Sequence, residues 1–410
     1  MKMHAVVAGT GMTRFGKFLD RGLKSLAAEA ITAALDDAGV AAGDLQAAYM
    51  GNAAASVITG QVLIPGEVVL RGMGIGRIPV VNVENACATS ATAFHQAAAM
   101  ITAGVYDCVL VCGFEKLYHE DKRRTFSVFA GAVDVELFAG VMASLAREPK
   151  ETGARSEGGG GKHSLFMDLY ASAARQHMER WGSTREHFAM VSVKNSFHGS
   201  LNPKAQYQTP LTIEEVLSAP VIAEPLTLPM CSPIGDGAAA LVLMSPKYAR
   251  ARGVADAVCV RSSALVTGWD YGPDEPETVP EYAARMAYEA AGIGPKDLDV
   301  VELHDASAPA EVMYYEFLGL APKGGGARLL EEGVTRLGGR LPVNTSGGLL
   351  RKGHPIGASG AGQIVELVDQ LRGRCGRRQV AGARTALAEN GGGMLGSDVA
   401  AIVVSVLQRE

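Results

Sequence analysis

Residues 27–50 read AAEAITAALDDAGVAAGDLQAAYM, and residues 283–303 read AARMAYEAAGIGPKDLDVVEL. Both stretches begin as alanine-rich helical patterns. Each reaches a glycine, Gly39 in the first and Gly292 in the second, where a helix is expected to stop. An Asp-Leu pair follows each glycine at the same spacing, and an apolar strand pattern follows each pair. The chain therefore contains the same helix–turn–strand unit twice.

The distance between the two copies decides how this repeat is interpreted. They lie about 250 residues apart, which is too far for the stacked units of a solenoid and fits a pair of duplicated domains. Because strands alternate with helices in both copies, we expect a mixed or mostly parallel sheet covered by helices. We assign residues 1–114 and 226–250 to the first half, 115–225 to a loop insertion, and 251–410 to the second half.

The composition excludes several classes of function. The chain has 410 residues, of which 48% are hydrophobic and 20% charged, and its formal net charge is -5. It can bury a large core and has no overall attraction for nucleic acid. No uncharged apolar run is long enough to cross a membrane, and the N-terminus lacks the features of a signal peptide. The six cysteines include no Cys-x-x-Cys pair, so we expect a cytoplasmic protein with reduced cysteines.

A cysteine lies where a strand pattern gives way to a helical one. Residues 78–83 read IPVVNV, and residues 84–93, ENACATSATA, are almost all small. Backbone N–H groups and the helix dipole at such a turn favour the thiolate form of Cys87. The small neighbours leave room for a bulky thioester. Position alone does not exclude the alternative, a buried structural cysteine.

Three further segments place polar side chains at the ends of elements. HDAS at 304–307 follows an apolar strand, and NTSGG at 344–348 leads to GHPIGASG at 353–360 and a helix. TALAENGGGM at 385–394 reads as a strand that opens into a glycine turn. A single histidine more often packs or faces solvent, but sites in two-half α/β proteins assemble from such ends. The cysteine and the two histidines are therefore joint candidates for one site.

With these segments the sequence resembles the thiolase superfamily, and within it the branch of the sterol-carrier-protein-type (lipid-transfer-protein-type) thiolases. The resemblance covers essentially the whole chain. Its strongest part is the Gly-His-Pro motif at 353–355 with Ser-Gly-Gly upstream at 346–348. The other matching segments are the one around Cys87, residues 304–307, Leu371-Arg372-Gly373 and the glycine run after Glu389.

The resemblance implies a five-layered αβαβα fold made of two duplicated halves, with a loop insertion over the active site. Members of the family are dimers or tetramers. They join two acyl-CoA units or cleave a 3-oxoacyl-CoA with CoA. Coenzyme A is therefore expected as a substrate, with no permanently bound cofactor and no metal.

The same resemblance implies roles for four positions. Cys87 would carry the acyl group as a thioester, and His354 would accept the thiol proton and help to bind the thioester oxygen. His304 would support the same oxyanion site, while the backbone N–H groups of Cys87 and Gly391 would form a second oxyanion hole. Acyl transfer and Claisen chemistry both build negative charge on thioester oxygens, which such donors stabilise.

The sequence departs from the family at the residue that moves the proton of the substrate's α-carbon. Most thiolases have a second cysteine just before the last glycine turn, where this chain has Glu389. Sterol-carrier-type members often have a cysteine inside the His-Asp motif, where this chain has Ala306. We expect Glu389 to act instead, since burial can raise the pKa of a carboxyl towards neutrality. The alternative is that Glu389 only pairs with an arginine. A different shuttle suggests a branched, aromatic or otherwise unusual 3-oxoacyl-CoA.

Partners and alternative functions complete the expectations. Some bacterial enzymes that resemble this branch act with a small zinc-ribbon and OB-fold subunit, so a separate subunit of that kind is an expected partner. Lys122, Arg123 and Arg124 are candidates for contacts with the CoA phosphates, although they fit a solvated charge run equally well. Two other functions stay open. One is a carbon–carbon lyase (retro-aldolase), against which an intact Cys87 argues, and the other is a non-catalytic acyl-CoA- or lipid-binding subunit.

Overall fold

The structure is a computed structural model that describes residues 1–137, 164–271, 277–396 and 398–409. Its strands are β1 Lys2–Met12, β2 Ala47–Gly51, β3 Val80–Val83, β4 Cys108–Glu115, β5 Val221–Ala223, β6 Leu226–Thr227, β7 Gly237–Met244, β8 Val258–Thr267, β9 Val300–Glu302, β10 Thr385–Leu395 and β11 Asp398–Gln408.

Helices cover both faces of the sheet that these strands form. They are α1 Leu23–Ala38, α2 Ala55–Thr59, α3 Pro65–Gly72, α4 Thr89–Thr102, α5 Lys122–Ser127, α6 Leu165–Trp181, α7 Arg185–Ser200, α8 Ile213–Ser218, α9 Pro246–Ala251, α10 Val279–Ala291, α11 Ala308–Phe317, α12 Gly326–Glu331, α13 Gly348–Lys352 and α14 Ser359–Arg372. None of the helices in the described ranges is long and apolar enough to cross a membrane.

The repeated helix ends at the predicted glycine in both halves. Helix α1 stops before Gly39 and α10 stops before Gly292, where φ is 64° and 72°. Both values lie in the left-handed region, which a glycine adopts without the steric cost that a Cβ brings. In each case the glycine N–H donates to a carbonyl of the last helical turn. The two stops are therefore made by the same local geometry.

The sheet shows the duplication more fully than the sequence does. Its nine strands run in the order β3-β2-β4-β7-β1-β8-β11-β10-β9. In the first half β2 and β4 are parallel, whereas β4–β7 and β7–β1 are antiparallel. In the second half β9 and β10 are parallel, whereas β10–β11 and β11–β8 are antiparallel. The two halves thus repeat one topology, and the sheet is mixed rather than mostly parallel.

The two halves are joined edge to edge through their first strands. Strands β1 and β8 pair antiparallel, with Ala5 opposite Val260 and Val7 opposite Val258. Helices α4 and α14 lie between the halves and share one apolar core with strands from both. A second core lies under α1 on the outer face of the first half, and a third lies under α7, α10 and α11 on the second. This arrangement confirms the expected αβαβα layering.

The segment between β4 and β7, expected as a loop insertion, consists largely of helices in its described part. Helices α5 to α8 lie here, together with the short β5–β6 pair. Residues 138–163, which include the run of four glycines at 158–161, lie outside the described residues. Helix α7 packs against α11 and α13 of the second half. The segment therefore reaches across to helices that adjoin the two candidate histidines.

Candidate active site

Three predicted side chains meet between the two halves. Cys87 lies in a single 3-10 turn, Ala86–Ala88, directly before α4. His304 lies two residues after β9, and His354 lies between α13 and α14. The sulfur of Cys87 and one nitrogen of each histidine lie within 4.8 Å of one another. The two imidazole rings are 5.1 Å apart between centroids and meet edge to face at 83°. The structure therefore brings together the cysteine and both histidines that the sequence singled out.

The thiol of Cys87 is protonated in this site. Burial raises its pKa to about 12, and the carboxyls of Glu115 and Glu84 act in the same direction. A backbone hydrogen bond opposes this shift but is the weaker effect. The expectation that the turn favours a thiolate is therefore wrong for the resting site, because desolvation outweighs the backbone N–H groups. The sulfur needs a base that removes its proton as it reacts.

His354 is arranged to be that base. Its Nδ1 lies 2.7 Å from Oγ of Ser359, and the Ser359 hydroxyl donates its own proton to the carbonyl of Pro355 over 3.0 Å. The serine oxygen can therefore only accept from the ring, which places the imidazole proton on Nδ1 and leaves Nε2 with a lone pair. Burial, His304 and Lys352 hold the pKa of His354 well below its usual value, so the ring is neutral.

His304 carries its proton on the opposite nitrogen. The side-chain amide of Asn390 donates to Nδ1 of His304 over 2.8 Å, and burial lowers the pKa of this histidine to about 4. A neutral ring that accepts at Nδ1 has its proton on Nε2. One histidine of the pair is thus an acceptor at Nε2 and the other a donor. That is what a base beside an oxyanion site requires.

Glu389 lies immediately behind His304. It is fully buried in β10, and its Oε2 accepts the backbone N–H of His304 over 2.9 Å. Burial raises the pKa of this carboxyl to about 8, against smaller opposite effects of the His304 N–H and the Tyr314 hydroxyl. Among the described residues no arginine pairs with Glu389, and the residues that line the cavity do not include it. Its neighbours His304, Gly391 and Tyr314 do line the cavity.

The glycines after Glu389 belong to a continuous strand rather than to a turn. Strand β10 runs to Leu395 and stays paired with β11 beyond the glycines. Gly391, Gly392 and Gly393 all line the cavity. A Cβ on Gly392 would lie 2.4 Å from the backbone nitrogen of Ala88 and 2.9 Å from that of Cys87. The sequence GGG therefore allows the strand to press against the cysteine turn, which no residue with a side chain could do.

Asp305, which follows His304 in the His-Asp motif, accepts hydrogen bonds from two helices. Its carboxylate accepts the backbone N–H of Leu349 over 2.6 Å and the side-chain amide of Asn195 over 2.8 Å. It therefore ties the His304 segment to α13 and α7. The same Asn195 also donates to Glu311 in α11 over 2.7 Å. These contacts fix the position of the backbone next to His304.

Several residues of the site were not predicted from the sequence. Ser359 and Asn390 set the protons of the two histidines, Tyr314 adjoins Glu389, and Glu115 binds the loops around the cysteine. Glu115 is fully buried at the end of β4 and accepts a hydrogen bond from Gly357, three residues after His354, over 2.9 Å. A lone carboxyl at the end of an apolar strand was a signal for Glu115, and a serine at a helix start was a signal for Ser359. For Asn390 and Tyr314 the sequence carries no such signal, because their roles depend on the direction in which each side chain points.

A cavity of about 1530 Å³ opens over the cysteine and the two histidines. One part of its wall is aromatic, with side chains from α5, α6 and α11 and the turn after α5, namely Phe126, Phe129, Phe166, Tyr170, Tyr314 and Phe317. A wall of this kind suits a large apolar group with few polar contacts.

Only one of the three basic candidates for phosphate binding faces this cavity. Lys122 lines it, whereas Arg123 pairs with Asp121 at 3.0 Å in an exposed position. Arg124 donates to the backbone carbonyls of Val57 and Ile58. The two arginines are thus engaged by the protein itself, and Lys122 is the one of the three candidates that lines the cavity.

Comparison with known proteins identifies two family models in this chain. A model described as the N-terminal domain of thiolase matches residues 5–247. A second model, described as thiolase C-terminal domain-like, matches residues 274–405. Together they span almost the whole sequence.

Three proteins with different names are similar to this chain over most of its length. An acetyl-CoA acetyltransferase of Methanothermobacter thermautotrophicus is 37% identical over 95% of this chain and 97% of its own length. Sterol carrier protein 2 of Oryctolagus cuniculus is 35% identical over 97% of this chain and 70% of its own length. The benzoylsuccinyl-CoA thiolase subunit BbsB of Thauera aromatica is 36% identical over 91% of this chain and 90% of its own length.

A solved structure also resembles the whole chain. It is named Ltp2-ChsH2(DUF35) aldolase and is 26% identical, with a TM-score of 0.76. The match covers 99% of this chain and 98% of the other.

Proposed function

Because this chain belongs to the thiolase family, in its sterol-carrier-protein-type branch, and is an acyltransferase of that kind, we propose that it acts through a Cys87 acyl-enzyme. The reaction is the cleavage of a 3-oxoacyl-CoA by CoA, or the reverse Claisen condensation. The observation that carries this proposal is the meeting of Cys87, His304 and His354, with one nitrogen of each ring and the sulfur within 4.8 Å of one another.

The first step forms the acyl-enzyme. Nε2 of His354 takes the thiol proton while Sγ of Cys87 attacks the 3-oxo carbon of the substrate. The carbon–carbon bond then breaks, its electron pair goes to the α-carbon of the departing acyl-CoA, and that carbon takes up a proton. Because the Cys87 thiol and the His354 imidazole are both neutral at rest, the site holds no ion pair between them that must lose water before the substrate arrives.

The second step returns the cysteine. The thiol of CoA attacks the thioester carbonyl, loses its proton to a base, and the tetrahedral intermediate expels the Cys87 sulfur, which recovers its proton from His354. Negative charge builds on the thioester oxygens at each stage. The Nε2–H of His304 would stabilise one such oxygen, and the backbone N–H groups of Cys87 and Gly391 the other.

The substrate proposed is a 3-oxoacyl-CoA with a branched, aromatic or otherwise unusual acyl group, as in the degradation of lipids or aromatic compounds. The aromatic wall of the cavity supports it, and so does the similarity to a benzoylsuccinyl-CoA thiolase subunit. Coenzyme A enters as a substrate, not as a bound cofactor. None of the six cysteines forms a disulfide, which supports a reducing, cytoplasmic compartment.

A small partner subunit and self-association are part of the proposal. The solved relative pairs Ltp2 with ChsH2(DUF35) in its name, which supports a small zinc-ribbon and OB-fold subunit for this chain as well. Strand β3 is an edge of the nine-stranded sheet and exposes Val81. Such an edge is a ready site for pairing with a second copy, which supports a homodimer or a tetramer built from it. Full activity of the isolated monomer would contradict both.

The mass of the intact protein tests the acyl-enzyme. The protein is incubated with acetyl-CoA, benzoyl-CoA, acetoacetyl-CoA, 3-oxo-3-phenylpropanoyl-CoA and 2-methylacetoacetyl-CoA. We expect a gain of one acyl group that free CoA reverses and that Cys87→Ala abolishes. Cys231 also lines the cavity, so Cys231→Ala is the matched control and keeps the adduct. The absence of any adduct would refute the proposal.

A carbon–carbon lyase is the second candidate, because the solved relative is an aldolase. A retro-aldol cleavage needs no acyl-enzyme. The two functions separate when a 3-hydroxyacyl-CoA is added to the panel and its cleavage is followed: a lyase would cleave it with no mass gain on Cys87, and its rate would survive Cys87→Ala.

A further inference from the structure

Tyr314 lines the cavity but takes no part in the attack of Cys87 or in the oxyanion holes. It lies in α11, and its side chain lines the cavity that also contains Cys87 and both histidines. Its ring is held edge to face against Phe317, with 5.7 Å between the centroids. Its hydroxyl lies near the carboxyl of Glu389 and acts to lower the pKa of that carboxyl.

The tyrosine hydroxyl and the carboxyl meet at Gly391. A Cβ built on Gly391 would lie 3.1 Å from Oη of Tyr314 and 3.6 Å from Oε1 of Glu389. The glycine therefore leaves open the small space through which these two oxygens approach each other. Within the described residues Oε1 of Glu389 has no hydrogen-bond partner at normal geometry, although the residue is fully buried. Oε2, in contrast, is held by the backbone N–H of His304.

We propose that Tyr314 and Glu389 form the proton relay for the substrate's α-carbon, with Tyr314 in contact with the substrate and Glu389 acting through it. The inference rests on the proposed thiolase activity. It supplies an acid at the position where most thiolases have their second cysteine, while Cys231, which also lines the cavity, donates its thiol proton to the carbonyl of Thr227 over 3.5 Å. It also explains how a carboxyl that does not line the cavity can serve chemistry inside it.

The relay balances in protons. In cleavage, the electron pair of the broken bond goes to the α-carbon, which takes the proton of the Tyr314 hydroxyl. The tyrosine oxygen takes the proton of the Glu389 carboxyl in the same event, so no free tyrosinate accumulates. Before CoA attacks the acyl-enzyme, Glu389 regains a proton from solvent and His354 loses one, so that His354 takes the thiol proton of CoA and passes it to Cys87. Condensation runs these transfers backwards.

The acidities of the two groups fit this order of events. Burial raises the pKa of Glu389 to about 8, so its acid and base forms are both accessible near neutral pH. Burial, followed by the nearby Glu389 and Tyr170, raises the pKa of Tyr314 well above its usual value, and Asp398 from β11 acts the same way. The tyrosine therefore passes a proton on rather than holding a charge.

Two routes to the same acyl-enzyme test the relay. Acetyl-CoA acetylates Cys87 by simple exchange of thioesters, with no change at the α-carbon, whereas acetoacetyl-CoA deposits the same acetyl group by a carbon–carbon cleavage whose carbanion must be protonated as it forms. Benzoyl-CoA and 3-oxo-3-phenylpropanoyl-CoA form a second pair. Acylation is followed by rapid quench and intact mass. For Tyr314→Phe we expect a fall of about 100-fold with the 3-oxo esters and of less than about threefold with the simple esters.

Matched variants separate the relay from a general loss of structure. Tyr315, the next residue in α11, binds Glu311 and Thr335 instead. Tyr315→Phe therefore removes a buried hydroxyl from the same helix, and we expect the ratio of the two routes to stay as in the native protein.

A pH profile tests Glu389 as the positioning residue of the relay. Cleavage uses its protonated form, so the rate with acetoacetyl-CoA is expected to be highest below pH 8 and to fall above it. Condensation uses the ionised form and rises through the same pH. Glu389→Gln should remove this limb from both profiles. Equal loss of both acylation routes in Tyr314→Phe, or an unchanged limb in Glu389→Gln, would overturn the relay. Failure of every ester to acylate the native protein would instead refute the acyl-enzyme itself.

Discussion

The side-chain amide of Asn390 donates to Nδ1 of His304 over 2.8 Å, and this single contact determines what the histidine can do. An amide nitrogen cannot accept, so Nδ1 must, and the ring proton is left on Nε2. Across the site, Ser359 holds His354 in the opposite form. The two imidazoles are of the same residue type and 5.1 Å apart between centroids, yet one is a donor and the other an acceptor.

Reversing the proton of His304 should reduce activity without removing a side chain from the cavity. In Asn390→Asp an acceptor replaces the donor, so the ring proton moves to Nδ1 and Nε2 presents a lone pair to the oxyanion. We expect kcat for thiolysis to fall by about 100-fold or more, as for the loss of an oxyanion donor. Asn390→Ala leaves the proton free to sit on either nitrogen and should cost less. Steady-state kinetics decide, and equal losses in the two variants would contradict the argument.

The reactivity of Cys87 towards an alkylating agent should report its high pKa. With a pKa of about 12, the thiolate fraction increases tenfold per pH unit throughout the accessible range. We expect the rate of alkylation by iodoacetamide, measured on the Cys87 peptide, to rise from pH 7 to pH 10 without a plateau. An unperturbed thiol would level off above about pH 9. A plateau near neutral pH would instead reveal a thiolate paired with a protonated His354.

The repeat shows which part of the fold the sequence can predict. Gly39 and Gly292 stop their helices by local backbone geometry, and local geometry depends on a few adjacent residues. The pairing of β1 with β8 joins residues about 250 positions apart, and nothing in either strand pattern specifies its partner. The duplication could therefore be read directly, whereas the continuous sheet that unites the halves could not.

In the active site, too, the features set by local sequence could be predicted and those set by distant segments could not. Cys87, His304 and His354 could be grouped because each follows or precedes an element whose end was visible in the sequence. Their ionisation could not be predicted, since it depends on how completely distant segments remove water. The helix start argued for a thiolate at Cys87, and burial overrode it. The position of Glu389 behind His304 likewise follows from the direction of its side chain in β10, which alternates with that of Asn390.

Removing the carboxyl of Glu115 should destabilise the protein and loosen the site together. The groups that donate to this buried carboxyl are the side-chain amide of Asn52 and the backbone N–H groups of Ala53, Ala54, Lys116 and Gly357. Asn52 keeps a second acceptor, the carbonyl of Phe114, but Glu115→Ala leaves the backbone donors without theirs. We expect a loss of about 3 kcal/mol or more in the free energy of unfolding.

Chemical denaturation measures the effect of this substitution. Glu115→Gln keeps one acceptor oxygen and should lose less. Because Gly357 follows His354 closely, acylation of Cys87 is expected to slow in Glu115→Ala even where the protein is folded. A stable Glu115→Ala variant with native acylation would show that the carboxyl holds neither the loops nor the histidine.

Zinc should inhibit the protein through the catalytic cluster. A thiol and two imidazoles within 4.8 Å form the one group of three metal-binding side chains found in the described ranges, and Zn²⁺ takes sulfur and nitrogen ligands. Cys87 and Nε2 of His354 are the ready ligands, because the proton on Nε2 of His304 must first move to Nδ1 before that ring can bind a metal. Zinc must displace the thiol proton, so its apparent affinity should rise about tenfold per pH unit between pH 7 and pH 9. We expect added zinc to block acylation of Cys87 and EDTA to restore it.

Magnesium, which prefers oxygen ligands, should have no effect. Cys87→Ser should weaken zinc binding, measured by competition with a chelating dye. If EDTA alone abolished the activity of untreated protein, the cluster would hold a required metal, and the role of His354 as a free base would be wrong.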